Sequence, residues 1–266
     1  MTASQTLHRL HQGPAPLVLV NAWDAGSARL LEQAGSAAIA TSSAGMAWSL
    51  GHADGERLPR AELLAAVARI CRSVSVPVTV DIERGQGANP ADVRAFVREL
   101  VALGVAGINI EDGLGADGLP VNPQIVSERI AALRDLGLFI NVRTDVFLAP
   151  VTDAFDDAFS DALGRAQLYV EAGADGLFVP GLGDLDSLAR LARAVDKPIN
   201  AYAGYPGAPS VAALAAAGVR RISLGCAPAQ AAYGLLGRIA SQALQQGRFD
   251  ELAGMASVDT MNGLFA

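Results

Sequence analysis

Lysine is almost missing from this chain: Lys197 is the single one among 266 residues, and the basic residues are otherwise arginine. A mechanism that builds a Schiff base on a lysine amine has therefore one candidate to work with. Cysteine is nearly as scarce. Cys71 and Cys226 lie in unrelated contexts without a CxxC spacing, which excludes a disulfide framework and a thiolate metal site. No uninterrupted apolar run approaches the ~20 residues that a membrane-spanning helix needs. The opening MTASQTLHRLHQG is polar and has no apolar segment of the secretory kind, so a soluble, cytoplasmic protein is expected. Positive charge is short as well. With 20 Lys and Arg against 27 Asp and Glu, the net charge of -7 opposes binding to polyanions, and neither nucleic acid nor membrane is expected as a partner.

What is present is apolar. Hydrophobic residues make up 51% of the chain, enough for a large core. Eight short apolar runs bounded by turn residues read as strands: LVLVNAW, AIATSS, VPVTVDIE, AGINIED, LFINVRTD, DGLFVP, PINAYA and RRISLG. The stretches between them carry helical spacing. Asn89 is placed to cap a helix with Pro90 in its first position, Val93, Phe96, Val97, Leu100 and Val101 form one face, and Gly104 closes it. Leu63, Leu64, Val67, Ile70, Cys71 and Val74 make a second such stripe, in which Cys71 reads as a small core residue.

Strict alternation of strand and helix implies parallel strands with right-handed crossovers, which close into a barrel or spread into an open doubly wound sheet. The open sheet would want GxGxxG after the first strand, and NAWDAGS does not supply it. Eight repeats favour an α/β fold of the (β/α)8 TIM-type barrel kind over residues 1–246, followed by a C-terminal helical extension over residues 247–266. In that extension Leu252, Met255, Val258, Met261, Leu264 and Phe265 are spaced to cover something, a neighbouring subunit or the barrel's own N-terminal mouth.

Chemistry in such barrels sits at the C-terminal ends of the strands. The polar residues there are Asn21, Asp24, Ser42, Ser43, Asp81, Glu83, Glu111, Asp112, Asn141, Arg143, Asp145, Asn200 and Tyr202. Asp81 and Glu83 are two apart, which on a strand places both on one face, and Glu111 ends the next strand. Three converging carboxylates raise one another's pKa unless Arg143 or a hard cation neutralises them. Oxygen donors with few histidines suit Mg²⁺ or Mn²⁺ better than zinc, and strand-end salt bridges and helix caps are the alternative use of the same groups. Lys197 precedes Pro198 at the opening of a strand, the wrong mouth for a Schiff base.

Taken in order, NAWDAGSARLLEQAG, TSSAG, VDIERGQG, NIEDG and NVRTD resemble the isocitrate lyase and phosphoenolpyruvate mutase superfamily over nearly the whole chain. The resemblance implies Asp81 as principal metal ligand, with Glu83 and Glu111 holding the metal through its waters. It implies Ser42 and the backbone at Ser43 and Ala44 as the grip on a substrate carboxylate, Asp54 as a metal-shell acid on a mobile loop, and Arg143 beside the oxo group. Glu111, Asp54 and Arg143 are then the catalytic candidates, and Asp81, Arg143 and Asn200 join the substrate contacts. The implied function is a Mg²⁺-dependent carbon-carbon lyase or decarboxylase acting on a small 2-oxo acid or dicarboxylate through an enolpyruvate-type intermediate. Family members exchange C-terminal helices, so a homodimer or homotetramer is implied too.

Departures from the family narrow the reaction. The catalytic cysteine of the isocitrate lyases has no counterpart, because NIEDG is followed by LGADGLPVNP. No Lys or Arg stands between Glu111 and Glu128, and DGLFVPG offers Pro180 where the phosphonate branch has a histidine, so phosphonopyruvate or phosphoenolpyruvate P–C chemistry is the second reading. A 2-oxo-acid binding protein without turnover is the third. Tyr202, His52 and Cys226 are the remaining groups able to carry a proton, each with an equally ordinary structural use.

Overall fold

A computed structural model describes residues 1–116, 118–149 and 154–266. One parallel sheet runs through β1 (Leu17–Leu19), β2 (Asn21–Ala22), β3 (Ile39–Thr41), β4 (Val78–Asp81), β5 (Gly107–Glu111), β6 (Phe139–Arg143), β7 (Gly176–Phe178), β8 (Ile199–Tyr202) and β9 (Arg221–Ser223). Its closure depends on the first apolar run, which is broken at Val20. β1 pairs with β9, Leu17 opposite Arg221, while β2 pairs with β3, Asn21 opposite Ala40. One run thus holds both edges, and the eight expected strands form a (β/α)8 barrel.

The helices are α1 (Ala3–His11), α2 (Ala25–Gln33), α3 (Ser43–Ser49), α4 (Arg60–Ser73), α5 (Pro90–Ala102), α6 (Pro123–Leu133), α7 (Phe155–Ala172), α8 (Leu185–Ala194), α9 (Val211–Ala216), α10 (Ala227–Ser241) and α11 (Val258–Gly263). α5 starts as its sequence requires, with the Asn89 side chain accepting from the Ala91 and Asp92 amides at 3.0 and 3.1 Å. Val93, Phe96, Val97 and Leu100 are buried, but Val101 is exposed, because one further residue rotates it about 100° away from the stripe centred on the other four. On α4, Leu63, Val67 and Ile70 are buried and Cys71 packs half-buried against the same core, where burial pushes its thiol up to about 11.

The strands alternate strictly. Val80, Ile108, Ile110, Val142, Ala201 and Ile222 face outward into the layer under the helices, while Thr79, Asp81, Asn109, Arg143, Asn200, Tyr202, Arg221 and Ser223 line the barrel interior. An interior usually filled by branched aliphatic side chains is here polar.

The N-terminal mouth is closed by α1. Leu7 is fully buried among Leu17, Leu19, Ala38, Ala40, Ala106 and Phe139. His11 stacks on the Phe139 ring at 3.9 Å and 9°, and its Nδ1 lies 2.8 Å from the Leu7 carbonyl, which can only accept, so the ring donates there from Nδ1. Gly107 is required beneath this plug: a Cβ there would stand 2.7 Å from Leu7 and 2.8 Å from the Phe139 carbonyl oxygen. Because α1 occupies the mouth, the C-terminal tail does not. α10 is continued by a π turn over Gln242–Gln246, and Gly247 follows at φ 63°. Beyond it only Leu264 among the tail's apolar residues is buried, its carbonyl accepting from Arg29 Nε at 2.5 Å, while Phe249, Met255, Val258 and Phe265 are exposed. Among the described residues no helix is long and apolar enough to cross a membrane.

Candidate active site

The polar strand ends open onto a cavity of about 540 Å³ that runs from the C-terminal mouth down the barrel axis. Its first wall is the turn from β3 into α3. Ser42 caps α3, its hydroxyl accepting from the Gly45 amide at 3.2 Å, and Ser42, Ser43 and Ala44 all face the cavity. Ser43 ties this wall to the next, donating from Oγ to Asp81 Oδ2 at 2.8 Å. The other Asp81 oxygen accepts from Asn109 Nδ2 at 3.2 Å, and Asn109 Oδ1 in turn accepts from Asn141 at 2.8 Å. The Asp81 carboxylate is thereby fixed in orientation at the end of β4 with lone pairs left over.

Glu83 does not share its face. β4 ends at Asp81, and Glu83 adopts a left-handed conformation at φ 52°, which removes the period-2 relation on which the shared face depended. Its carboxylate turns away and accepts from the Glu56 amide at 2.6 Å. Burial, then the nearby Asp81 charge, pushes Glu83 up to about 7. Glu56 and Gln86 are left-handed too, so three non-glycine residues hold sparsely populated conformations at this corner, a concentration of strain that is common at functional sites.

Glu111 ends β5 directly opposite Arg143 on β6. Arg143 Nη1 donates to Glu111 at 3.0 Å, while Nε and Nη2 grip Asp145 at 2.5 and 3.1 Å. Burial opposes the Arg143 charge, but Glu111 and Asp145 outweigh it and hold the guanidinium above its ordinary pKa. Glu111 is pushed well above the usual carboxylate range by burial, with Arg143 pulling the other way. Asp145 is held from behind: its amide donates to Asp112 at 2.9 Å, and Asp112, fully buried, also accepts from Thr144, Arg165 and Tyr169.

Asp54 joins the lining from the turn between α3 and α4, beside Ser43 and near Asp81, its carboxyl raised chiefly by burial. Asn200 is buried on β8, its Oδ1 accepting from Ser223 at 3.2 Å. Asp54, Asp81, Arg143, Asn200 and the Ser42–Ala44 turn therefore share one cavity, whereas Glu83 and Glu111 lie behind it. Among the described residues no three carboxylates are gathered as direct ligands of one ion. The expected three-carboxylate convergence takes instead the form of Asp81 in front, with buried Glu83 and half-buried Glu111 electrostatically coupled in support.

His52 pairs with Glu62 at 3.5 Å, outside the cavity. Tyr202 and Cys226 line it, both pushed up by burial and so neutral, although the Tyr202 hydroxyl is engaged with the Gly204 carbonyl at 3.1 Å. Lys197 precedes β8 at the opposite mouth. The described residues of LGADGLPVNP lie outside the cavity lining, and Asp117 lies outside the described residues. Two further contributors come from β9, one opening the strand and one ending it. Arg221 and Ser223 flank Ile222 in the eighth strand, and the period-2 alternation of RIS was the signal that both point inward.

The phosphoenolpyruvate phosphomutase family model matches residues 7–244. The 2-methylisocitrate lyase of Escherichia coli K12 is 34% identical over 69% of this chain and 64% of its own. The oxaloacetate decarboxylase of Rhodopseudomonas palustris is 33% identical over 80% and 74%. A solved lyase/mutase-type structure from Burkholderia cenocepacia J2315 superposes with a TM-score of 0.90 at 34% identity, covering 99% of this chain and 95% of that one.

Proposed function

The chain belongs to the phosphoenolpyruvate phosphomutase family, and we propose that it is a Mg²⁺- or Mn²⁺-dependent lyase that cleaves or decarboxylates a small 2-oxo acid through an enolpyruvate-type intermediate. The observation that carries this reading is Arg143. A half-buried guanidinium kept charged by Glu111 and Asp145 faces the same cavity as the oriented carboxylate of Asp81.

The residues present fit a hard divalent cation. Asp54, Asp81, Glu83, Glu111 and Asp145 crowd one corner around Arg143, and burial first, with neighbouring carboxylate charges adding to it, raises Glu83 and Glu111 there. Asp81 would hold the ion, with Glu83 and Glu111 behind it and Asp54 beside it next to Ser43. When bound, Mg²⁺ supplies Lewis-acid polarisation of an oxo group. The chain's own groups do the rest. The Ser42–Ala44 turn orients the substrate carboxylate, and Arg143 stabilises negative charge as it develops on the oxo oxygen, a contribution of roughly 10²–10³ in rate for a well-aimed donor. Asp145 and Asp112 keep that guanidinium in register, and Tyr202 and Cys226 present neutral proton carriers at the wall. The apolar surface of the tail is assigned to a second copy of the chain, as a homodimer or homotetramer.

Similarity to a 2-methylisocitrate lyase and an oxaloacetate decarboxylase supports carbon-carbon chemistry. The test is a panel of oxaloacetate, 4-hydroxy-2-oxo acids, methylisocitrate, isocitrate and phosphonopyruvate, assayed with Mg²⁺ and with EDTA, for the intact chain and Asp81→Ala. Turnover of a carboxylate substrate that disappears with chelator and in the variant is expected. Full activity of Asp81→Ala in EDTA would remove the metal, turnover of phosphonopyruvate alone would move the protein to P–C chemistry, and binding without product would make it a receptor.

A further inference from the structure

Glu56 has no part in the chemistry above, yet it joins the two turns that carry acidic groups of the site. It lies two residues beyond Asp54, between α3 and α4, and its amide donates to Glu83 Oε2 at 2.6 Å. Its carboxylate crosses to the turn that follows β4. There Oε2 accepts from Arg84 Nε and Nη2 at 3.1 and 2.9 Å, and Oε1 accepts from the Gln86 amide at 2.9 Å. Arg129 on α6 braces the same turn, donating from Nη1 to the Arg84 carbonyl at 2.7 Å, and its charge is favoured by Glu56.

These ties close a ring around Asp81. The Glu83 amide donates to Asp81 Oδ1 at 3.4 Å, Asp81 Oδ2 accepts from Ser43, and Ser43 lies beside Asp54. Asp54 thus reaches the cavity from a turn anchored by Ser43 on one side and by Glu56 on the other. Packing does not fix the glycines of that turn: at Gly51 and Gly55, φ 84° and 92°, an added Cβ would meet no atom within 4 Å.

Glu56 is itself left-handed at φ 57°, a conformation that a glycine adopts without strain and a glutamate does not. Among the described residues the other left-handed non-glycine positions are Glu83 and Gln86, the two that Glu56 bonds through its amide and its carboxylate. The strain of this corner is therefore held by one side chain. As a plain stabilising pair Glu56 and Arg84 would contribute little, because the Arg84 side chain is 41% exposed. Groups that orient the carboxylates around an ion contribute far more to the affinity for that ion.

We propose that Glu56 is a positioning residue, which ties the Asp54 turn to the Glu83–Gln86 turn and so sets Asp54 and Glu83 beside Asp81 for the divalent ion. This rests on the Mg²⁺- or Mn²⁺-dependent reading given above. It adds a residue that touches neither the ion nor the substrate.

Glu56→Gln and Arg84→Met break the tie from its two ends. Methionine keeps an apolar stem over Gly113, where an added Cβ would stand 2.8 Å from Arg84 Cδ. Hydrogen exchange of residues 51–57 is followed by mass spectrometry without metal, and the dissociation constant of Mn²⁺ alone is measured by electron paramagnetic resonance. In both variants exchange over 51–57 should be about 3–10-fold faster while α5 keeps the rate of the intact chain, as expected for loss of one charge-assisted contact. Mn²⁺ should bind both variants about 10-fold more weakly. Two variants separate position from charge, since by charge alone Glu56→Gln would weaken Mn²⁺ and Arg84→Met would strengthen it. Shifts of opposite sign therefore overturn the positioning role, and so does unchanged exchange over 51–57. Exchange that quickens equally in α5 reassigns Glu56 to support of the whole fold. Mn²⁺ bound equally by all three proteins overturns Glu56 alone, whereas an intact chain that binds no Mn²⁺ overturns the divalent-ion reading and the positioning role with it.

Discussion

Acidification charges His11 in the unfolded chain long before it charges it in the fold. The ring is buried against Phe139, donates through Nδ1 to Leu7, and leaves Nε2 without a partner among the described residues, so a second ring proton finds no acceptor there. Burial, then Arg221, depresses the folded pKa from 6.5 to about 3. With the folded value below the unfolded one, the unfolded chain takes up the proton first as pH falls. The contribution of neutral His11 is complete above about pH 6.5 and is lost progressively between there and about pH 3. Each pH unit within that window is worth about 1.4 kcal/mol, so a fall to about pH 4.5 should cost about 2.7 kcal/mol. Glu83 and Glu111, whose folded pKa values are raised, act in the opposite sense, because their protonated forms are favoured in the fold. Comparison with His11→Leu cancels them. Urea unfolding of both proteins in EDTA, from about pH 7.5 to about pH 4.5, should show the wild type losing its midpoint by about 1 M more than the variant, for an m-value at the upper end of the usual range. Parallel stability curves would refute the reasoning and show that the ring is protonated, or solvated, within the fold.

Arg143→Lys should lower kcat by about 10²-fold or more at little change in fold, since lysine cannot hold Glu111 and Asp145 while facing the oxo group. Steady-state kinetics on whichever substrate the panel identifies decides it, and wild-type values would remove Arg143 from the mechanism. Truncation at Gly247 should reduce the oligomer to a smaller species and lower solubility, because Phe249, Met255, Val258 and Phe265 are exposed on the single chain. Light scattering on the intact protein is the direct check: a purely monomeric mass at micromolar concentration sinks the interface and leaves the active site untouched.

The elements themselves were legible because they are set locally. A period of two separates Val80 from Asp81 and Ile222 from Ser223, a period near 3.6 gathers Val93, Phe96, Val97 and Leu100, and Asn89 with Pro90 starts a helix from its own side chain and ring. Eight such units in alternation leave few topologies, and the strand ends then name Asp81, Arg143 and Asn200 in advance. What required the folded chain was everything that depends on distance across the barrel. The break at Val20 lets one run hold both edges of the sheet, which no local pattern announces. A left-handed turn at Glu83 reverses the face that a continuous strand would have given it, and the register of β5 on β6 sets Glu111 against Arg143 before any metal. Arg221 is an ordinary arginine in the sequence. It becomes a buried charge only when α1 seals the floor beneath it, because burial is a property of closure and not of the strand that carries the residue.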